Sequence, residues 1–250
     1  PGITLKIADI NEQGTLVKIC DTLDVGEIII TGNNVFPGYV EDAHNQGAWV
    51  VDENGQQYFR TGDLGKIDES GYVSLCGRQK ELIIRGGHNI DPKMIEDAAT
   101  SHPDVTLAAA VPRPDSYAGE VPILYVMLSP HSTLKLDELT TYVSANIPER
   151  AAIPKSIYII DEIPLTAVGK IYKPELVCLE IKQTITEALS EQLINKTVQI
   201  NVFADKKLGI KATILVNEDE LNALQQQIKT LLTPYSFNYE VLALKTTEAA

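Results

Sequence analysis

Residues 77–92, with the sequence GRQKELIIRGGHNIDP, mark the point at which the character of the chain changes. Short apolar runs on either side of Gly86 and Gly87 predict a hairpin, because glycine accepts the positive φ angles that a tight turn needs. Asp91 and Pro92 then predict the start of a helix, as an N-cap residue followed by a proline in the first turn. Before this stretch the patterns predict strands alone, and after it they predict strands mixed with helices.

The sequence therefore predicts an α/β (α+β) protein in three parts. Residues 1–78 are rich in strand patterns and lack a long helical period, so we interpret them as one end of a larger β-rich domain. Residues 79–194 alternate strands and helices as in a small layered domain. Residues 195–250 follow a β-β-α-β order and predict a further small module.

Net charge, cysteine content and the length of apolar runs exclude several classes of function. The 250 residues carry a formal net charge of −13, which gives no bulk attraction to nucleic acid. Three widely spaced cysteines predict neither a disulfide framework nor a thiolate metal site, and they favour a reducing, cytoplasmic location. No apolar run has the length of a membrane span. The chain begins at Pro1 instead of Met, which predicts a piece cut from a longer protein.

Two charged motifs have both a chemical and an ordinary interpretation. In YFRTGDL at 58–64, Asp63 can offer two carboxylate oxygens to adjacent hydroxyls such as those of a ribose, or it can simply form an Asx turn. In residues 77–92 the glycine pair allows a ligand to approach the backbone closely. The same stretch can equally be a solvated hairpin whose charged edge prevents aggregation.

A third motif, PLTAVGK at 164–170, presents the single lysine Lys170. It is not a phosphate-binding P-loop, because Pro164 stands where that motif has glycine and Ile171 stands where it has serine or threonine. Alone, a turn lysine of this kind is ordinarily solvated surface. The four histidines lack zinc-ligand spacing, so the sequence predicts no metal site of its own.

The order of the motifs is more specific than any one of them. They are GEIIITG at 26–32 followed by Gly38-Tyr39, TGD at 61–63, GRQKELIIRGG at 77–87 and PLTAVGK at 164–170. From about Gly26 to Leu176 this series resembles the carboxy-terminal third of the adenylate-forming superfamily of AMP-dependent synthetases and ligases, which includes acyl-CoA synthetases, peptide-synthetase adenylation domains and firefly luciferase. The stretch PLTAVGKIYKPEL at 164–176, together with the extension beyond residue 193, resembles a longer-chain group of bacterial fatty-acyl-CoA synthetases.

The resemblance implies a ligase that forms carbon–sulfur bonds. Such enzymes activate a carboxylic acid with ATP to an acyl-adenylate and pyrophosphate, and then pass the acyl group to a thiol. ATP, Mg²⁺, coenzyme A and a fatty acid are the implied cofactors and substrates. By the same resemblance Asp63 binds the ribose hydroxyls with Arg78 beside it, and Lys170 bridges the carboxylate and the α-phosphate during adenylation.

The resemblance also implies domain alternation. Lys80 occupies the position about which the small domain of the family turns between the two half-reactions, and Gly86 and Gly87 leave room for the pantetheine arm of the thiol. Peptide-synthetase domains more often have aspartate at this hinge, so Lys80 favours the CoA-ligase or luciferase-like branch. In these terms residues 1–78 end the large AMP-binding domain, 79–194 form the lid and 195–250 are an addition.

Two departures from the family pattern limit this interpretation. Lys173 stands where the family commonly has arginine, and the glycine-rich phosphate loop of the family does not occur in the chain. We therefore expect the chain to be inactive without an N-terminal domain of the same enzyme. Two alternatives stay open: an acyl-AMP ligase or adenylation domain that loads a carrier protein, and a non-catalytic binding or regulatory module, which the β-β-α-β tail favours.

Overall fold

The computed structural model describes residues 2–11, 13–191, 198–205 and 209–244. The chain divides into two compact units, Pro1–Leu82 and Ile83–Ala250. The predicted three-part division at 78/79 and 194/195 stays a prediction, and its second boundary lies outside the described residues. No helix among the described residues is long and apolar enough to cross a membrane.

The described part of the first unit is an antiparallel sheet of six strands. They are β1 (Ile3–Ile10), β2 (Leu16–Ile19), β3 (Gly26–Gly32), β4 (Trp49–Val51), β5 (Gln57–Ile67) and β6 (Val73–Arg78). The strand order is β2-β1-β3-β5-β4, and β6 also pairs with β5. Ala8, Ile29, Val50 and Tyr58 form its buried core. The long strand β5 therefore pairs with three strands, β3, β4 and β6, and it carries the TGD motif.

The second unit contains a sheet centred on one long strand. Its elements are β7 (Ile83–Arg85), β8 (His88–Ile90), α1 (Pro92–Thr100), β9 (Val105–Asp115), β10 (Gly119–Leu128), α2 (Leu136–Asn146), β11 (Ser156–Ile159) and α3 (Lys173–Ala188). Strand β10 pairs antiparallel with β9 and β7 and parallel with β11.

Both faces of this sheet are covered, as the burial of alternate residues shows. Leu124 and Val126 pack with α1 and α2 in one cluster, whereas Ile123 and Tyr125 pack with Leu176 of α3 in another. Period-two alternation along β10 sends neighbouring side chains to opposite faces. This layered arrangement confirms the predicted mixed α/β class.

The carboxy-terminal residues form a second, smaller sheet. Its strands are β12 (Val198–Asp205), β13 (Gly209–Val216) and β14 (Asn238–Ala243), and helix α4 (Leu221–Leu232) lies between β13 and β14 in the sequence. Strands β12 and β13 are antiparallel and β13 and β14 are parallel, which confirms the predicted β-β-α-β order. Ile181, Ile185 and Leu189, at the end of α3, lie in the core of this sheet. Helix α3 thus contributes to two cores.

Candidate functional site

The first feature is a carboxylate held by an arginine. Asp63 on β5 lies directly opposite Arg78 at the end of β6, and Arg78 Nε donates a hydrogen bond of 2.8 Å to Asp63 Oδ1. The Asp63 side chain is 36% exposed and its Oδ2 accepts no hydrogen bond from the described residues. The pair therefore fixes the carboxylate while one oxygen stays available to a ligand.

The local backbone explains why a Thr-Gly pair precedes this aspartate. Thr61 Oγ1 donates to the carbonyl of Ile28 at 2.7 Å and accepts from the backbone N–H of Asp63 at 3.1 Å. Gly62 has a φ of +72°, a conformation that a residue with a side chain adopts only with strain. The strand is irregular here, and the irregularity sets the direction in which Asp63 leaves the sheet.

A buried ion pair between Glu27 and Arg60 holds this turn in place. Glu27 is 3% exposed, and it accepts hydrogen bonds from Arg60 Nη2 at 2.7 Å and from the backbone N–H of Gly62 at 3.1 Å. Sequence reasoning did not assign these two residues a role. The signal was available, since a charged residue directly before three isoleucines in a strand is expected to be paired when it is buried.

A cleft of about 340 Å³ opens beside the ion pair, within the first unit. Phe59 and Tyr39 line it on one side, in an aromatic group that also includes Phe36 and Trp49. Lys80 lines it too, from a short 3₁₀ turn over Gln79–Glu81. The predicted hinge residue is therefore the last lysine before the division between the two compact units.

Gly86 and Gly87 form the two-residue turn of a hairpin in the second unit. Arg85 pairs with His88 across the turn, and the two glycines have φ angles of +56° and +86°. A Cβ added to either glycine meets no atom within 4 Å, so the backbone conformation alone requires glycine. The Gly86 N–H donates to the carbonyl of Ala118 at 2.7 Å, which holds the exposed turn in place.

Lys170 lies near the tip of a loop closed by its own hydrogen bonds. The Thr166 N–H donates to the Lys170 carbonyl at 2.7 Å, and the Lys170 N–H donates to Thr166 Oγ1 at 3.1 Å. At the base, the Tyr172 N–H donates to the Pro164 carbonyl at 2.7 Å. The Lys170 side chain is exposed and makes no ion pair with any residue that the structure describes. A rigid loop thus presents a solvated ammonium group.

Lys173, where the family commonly has arginine, has a structural partner. Its Nζ lies 2.8 Å from Glu96 Oε1, and the same oxygen accepts from the backbone N–H of Ala110. Both charged side chains are mostly buried, at 20% and 18% exposed. The start of α3 is therefore tied to α1 and to β9, three residues after Lys170.

The predicted site residues fall into separate groups. Asp63 and Arg78 are in contact in the first unit, and Gly86 and Gly87 share one turn in the second, where Lys170 lies in a loop of its own. Among the described residues, no cluster of three or more His, Cys, Asp or Glu side chains is suited to hold a metal ion.

Comparison with known proteins gives one family. Residues 94–170 match the AMP-binding enzyme C-terminal domain. The chain is 41% identical over 252 residues to the marinolic acid–CoA ligase of a Pseudoalteromonas species, which covers 95% of this chain and 38% of that enzyme. It is 34% identical over 193 residues to the medium-chain fatty-acid–CoA ligase of Escherichia coli, covering 77% of this chain and 32% of that enzyme.

Solved structures agree with this result. ATP-bound MatB from Rhodopseudomonas palustris has a TM-score of 0.61 at 30% identity, over 71% of this chain and 34% of MatB. The o-succinylbenzoate CoA synthetase of Bacillus subtilis, in complex with its acyl-adenylate intermediate, has a TM-score of 0.60 at 30% identity, over 70% of this chain and 34% of the synthetase. The chain thus spans between 32% and 38% of the length of these relatives.

Proposed function

Because the chain belongs to the adenylate-forming family of AMP-binding enzymes, we propose that it supplies the carboxy-terminal part of an acyl-CoA synthetase. The reaction joins a carboxylate to ATP with release of pyrophosphate, and then transfers the acyl group from AMP to the thiol of coenzyme A. One observation carries the proposal: Lys170, the last residue of the matched family domain, is exposed and unpaired among the described residues on an internally bonded loop.

The chemistry of adenylation explains why such a lysine is needed. A carboxylate oxygen attacks the α-phosphorus of ATP while the bond to pyrophosphate breaks, so two anions must approach each other. An ammonium group between them offsets this repulsion and the charge that builds up in the transition state. The loop around Lys170 pre-organises the group, because its backbone is already fixed before substrate arrives.

Asp63 is proposed to bind the nucleotide. Its Oδ2, which accepts no hydrogen bond within the described residues, can accept from one ribose hydroxyl, while Arg78 holds Oδ1. The Thr61 and Glu27 contacts keep the turn that carries Asp63 in one conformation. Mg²⁺ would enter bound to the phosphates of ATP, since no cluster of three or more His, Cys, Asp or Glu side chains among the described residues is suited to hold a metal ion.

The second half-reaction requires that the lysine at the active centre be replaced by the acceptor thiol. Lys170 must leave the phosphate so that a thiol can enter, and Lys80 is proposed as the hinge of that movement. The division of the chain at Leu82/Ile83, directly after the 3₁₀ turn of Lys80, supports this assignment. The open space around Gly86 and Gly87 suits the narrow arm of pantetheine.

Two features of the relatives suggest the substrate class and the acceptor. The two relatives described above are named as CoA ligases, one of them for medium-chain fatty acids, so we propose a fatty or similarly long carboxylic acid and free coenzyme A. We place this activity in the cytoplasm. It would require an N-terminal large domain of the same enzyme, which carries the phosphate loop. Thioester formation with free coenzyme A is the measurement that separates this acceptor from a carrier protein.

The decisive experiment is carboxylate-dependent ATP–pyrophosphate exchange by the full-length natural polypeptide that contains these residues. Lys170→Ala is expected to lower the exchange rate by about 100-fold or more, since one electrostatic donor is typically worth about 3 kcal/mol of barrier. The matched control is Lys229→Ala, which removes an exposed lysine from helix α4. Exchange at the wild-type rate in Lys170→Ala would contradict the proposal.

A further inference from the structure

A buried polar network lies in the second unit, and it includes none of the predicted site residues. At its centre is Glu180 of α3, which is 1% exposed. Arg113 of β9 donates to one oxygen of this carboxylate, and the hydroxyl of Tyr125 of β10 donates to the other. Arg113 Nη2 also donates to the hydroxyl of Tyr158 at 3.0 Å. Every buried polar side-chain atom in the described residues has a partner.

Burying a network of this kind costs desolvation free energy, so its main effect is to fix the positions of its members and not to add net stability. Removing a carboxylate and a guanidinium from water costs several kcal/mol each, and their attraction often does no more than offset that cost. What the network does provide is a fixed register, since the Glu180 carboxylate can only accept and the Arg113 guanidinium can only donate. It joins α3 to two neighbouring strands, and it therefore sets where the helix lies on the sheet.

Tyr125 connects this network to the Lys170 loop. Its ring belongs to the same buried cluster as Ile163, which directly precedes the loop, and Leu176, which follows it in the first turn of α3. Ile171, within the loop, packs against that cluster as well. The loop itself is closed at its base between Pro164 and Tyr172. Its position therefore depends on the cluster beneath its two ends.

We propose that Tyr125 is a positioning residue for Lys170. Its hydroxyl holds α3 through Glu180, its ring supports both ends of the loop, and together they fix the place at which the Lys170 ammonium group is presented. This inference rests on the proposed role of Lys170 in adenylation. Burial and the neighbouring Glu180 carboxylate raise the pKa of Tyr125 far above its ordinary value, so the hydroxyl stays a donor across the physiological range.

The test compares two tyrosine-to-phenylalanine variants in the full-length natural polypeptide. Tyr125→Phe keeps the ring and removes the bond to Glu180, whereas Tyr158→Phe removes a hydroxyl from the same network without touching the cluster under the loop. We expect Tyr125→Phe to lower kcat for adenylation by about 10-fold with KM for ATP unchanged, because a displacement of about 1 Å costs up to about 100-fold. Tyr158→Phe is expected to stay within about twofold of wild type, since its ring stays in place and no group that positions the loop is lost.

A second measurement does not depend on activity. Amide hydrogen exchange is expected to be faster at Thr166, Gly169 and Lys170 in Tyr125→Phe than in wild type, while the amides of α1 keep their protection. Unchanged exchange in the loop, or an equal increase in α1, would overturn the inference. If the Lys170→Ala variant adenylates normally while the loop still loosens in Tyr125→Phe, the proposed function fails and the structural coupling stands.

A further variant covers the case in which Tyr125→Phe does not fold. Glu180→Gln keeps one oxygen that can accept from the Tyr125 hydroxyl, while its amide NH2 replaces both the charge and the acceptor oxygen that face Arg113. The inference requires the loop amides of Glu180→Gln to exchange as slowly, relative to α1, as those of wild type. Selective loosening of the loop in this variant would show that the Arg113 contact, and not the Tyr125 contact, positions it.

Discussion

Asp63 and Arg78 stand opposite each other in register on β5 and β6, with Arg78 Nε 2.8 Å from Asp63 Oδ1. Both side chains are accessible to solvent, so the ion pair contributes at most about 1 kcal/mol to folding. The ion pair instead orients the Asp63 carboxylate, because Arg78 binds Oδ1 and Oδ2 accepts no hydrogen bond from the described residues. A residue pair that adds little to the stability of the fold can in this way still hold a carboxylate in the orientation that ligand binding needs.

Asp63→Asn tests that interpretation. The amide keeps the size of the side chain but loses the charge, and hydrogen bonds to charged groups contribute about 1.5–3 kcal/mol. We expect KM for ATP in pyrophosphate exchange to rise by about 10-fold or more, with the melting temperature unchanged. Asp24→Asn is the matched control, because Asp24 forms an exposed surface pair with Lys18 in the same unit. An unchanged KM in Asp63→Asn would remove Asp63 from the nucleotide site.

The hairpin turn gives a prediction about backbone conformation alone. Gly87 has a φ of +86° and open space where a Cβ would lie, so any cost of substitution comes from the left-handed conformation and not from a clash. Gly87→Val is expected to lower the free energy of unfolding by about 1–2 kcal/mol, and Gly87→Asn by clearly less, since asparagine tolerates this region. Urea denaturation of the two variants measures the difference. Equal losses would mean that the turn is held in another conformation.

Local signals in the sequence were sufficient for the elements around this turn. The glycine pair gave the hairpin, and Asp91 caps α1 as predicted, with its side chain accepting from the Lys93 N–H at 2.9 Å. Both features depend on residues within a few positions of each other, where backbone preference acts directly. The β-β-α-β order of the carboxy-terminal sheet followed in the same way from alternating apolar residues.

Local signals can indicate that a supporting charge such as Glu27 is paired, but they do not identify its partner. Arg60 and Glu27 are 33 positions apart and meet only because β3 pairs with β5 in one register. Lys173, at the start of α3, meets Glu96 of α1, which lies far from it in the sequence. Pairing of this kind depends on sheet register and helix packing, which a single sequence does not specify locally. The motif order identified Lys170 and Asp63 as candidates, but not the groups that hold their loops.

The Arg113–Glu180 pair predicts different results for single and double substitutions. Glu180→Leu leaves the mostly buried Arg113 guanidinium without its counter-charge, and such losses cost about 3–5 kcal/mol. The double variant Arg113→Met/Glu180→Leu removes both charges and is expected to recover part of that loss, because the Tyr125 hydroxyl still lacks its acceptor. Urea denaturation of wild type, both single variants and the double variant gives the coupling energy. Additive effects would show that the two side chains do not interact in solution.

The turn between β9 and β10 supports the hairpin and contains a strongly acidic carboxyl group. Backbone donation from Ala118 and a hydrogen bond from Lys155 lower the pKa of Asp115 from 3.8 to about 2. The Ala118 carbonyl in turn accepts from the Gly86 N–H. Protonation of Asp115 is therefore expected to weaken the turn on which the hairpin rests.

Asp115→Asn tests the pH dependence that follows. Because the folded protein holds the pKa below its unfolded value, the stabilisation by Asp115 is fully present above about pH 4 and is lost as the pH falls through about 2. At neutral pH the variant is expected to be less stable by about 1–2 kcal/mol, a value reduced for partial exposure, and the difference from wild type should shrink between pH 4 and pH 2. Urea midpoints measured across that range give the curve, with Asp161→Asn as a control for the loss of one exposed negative charge. A stability difference that is independent of pH would mean that the turn is held by its backbone hydrogen bonds and not by the charge of Asp115.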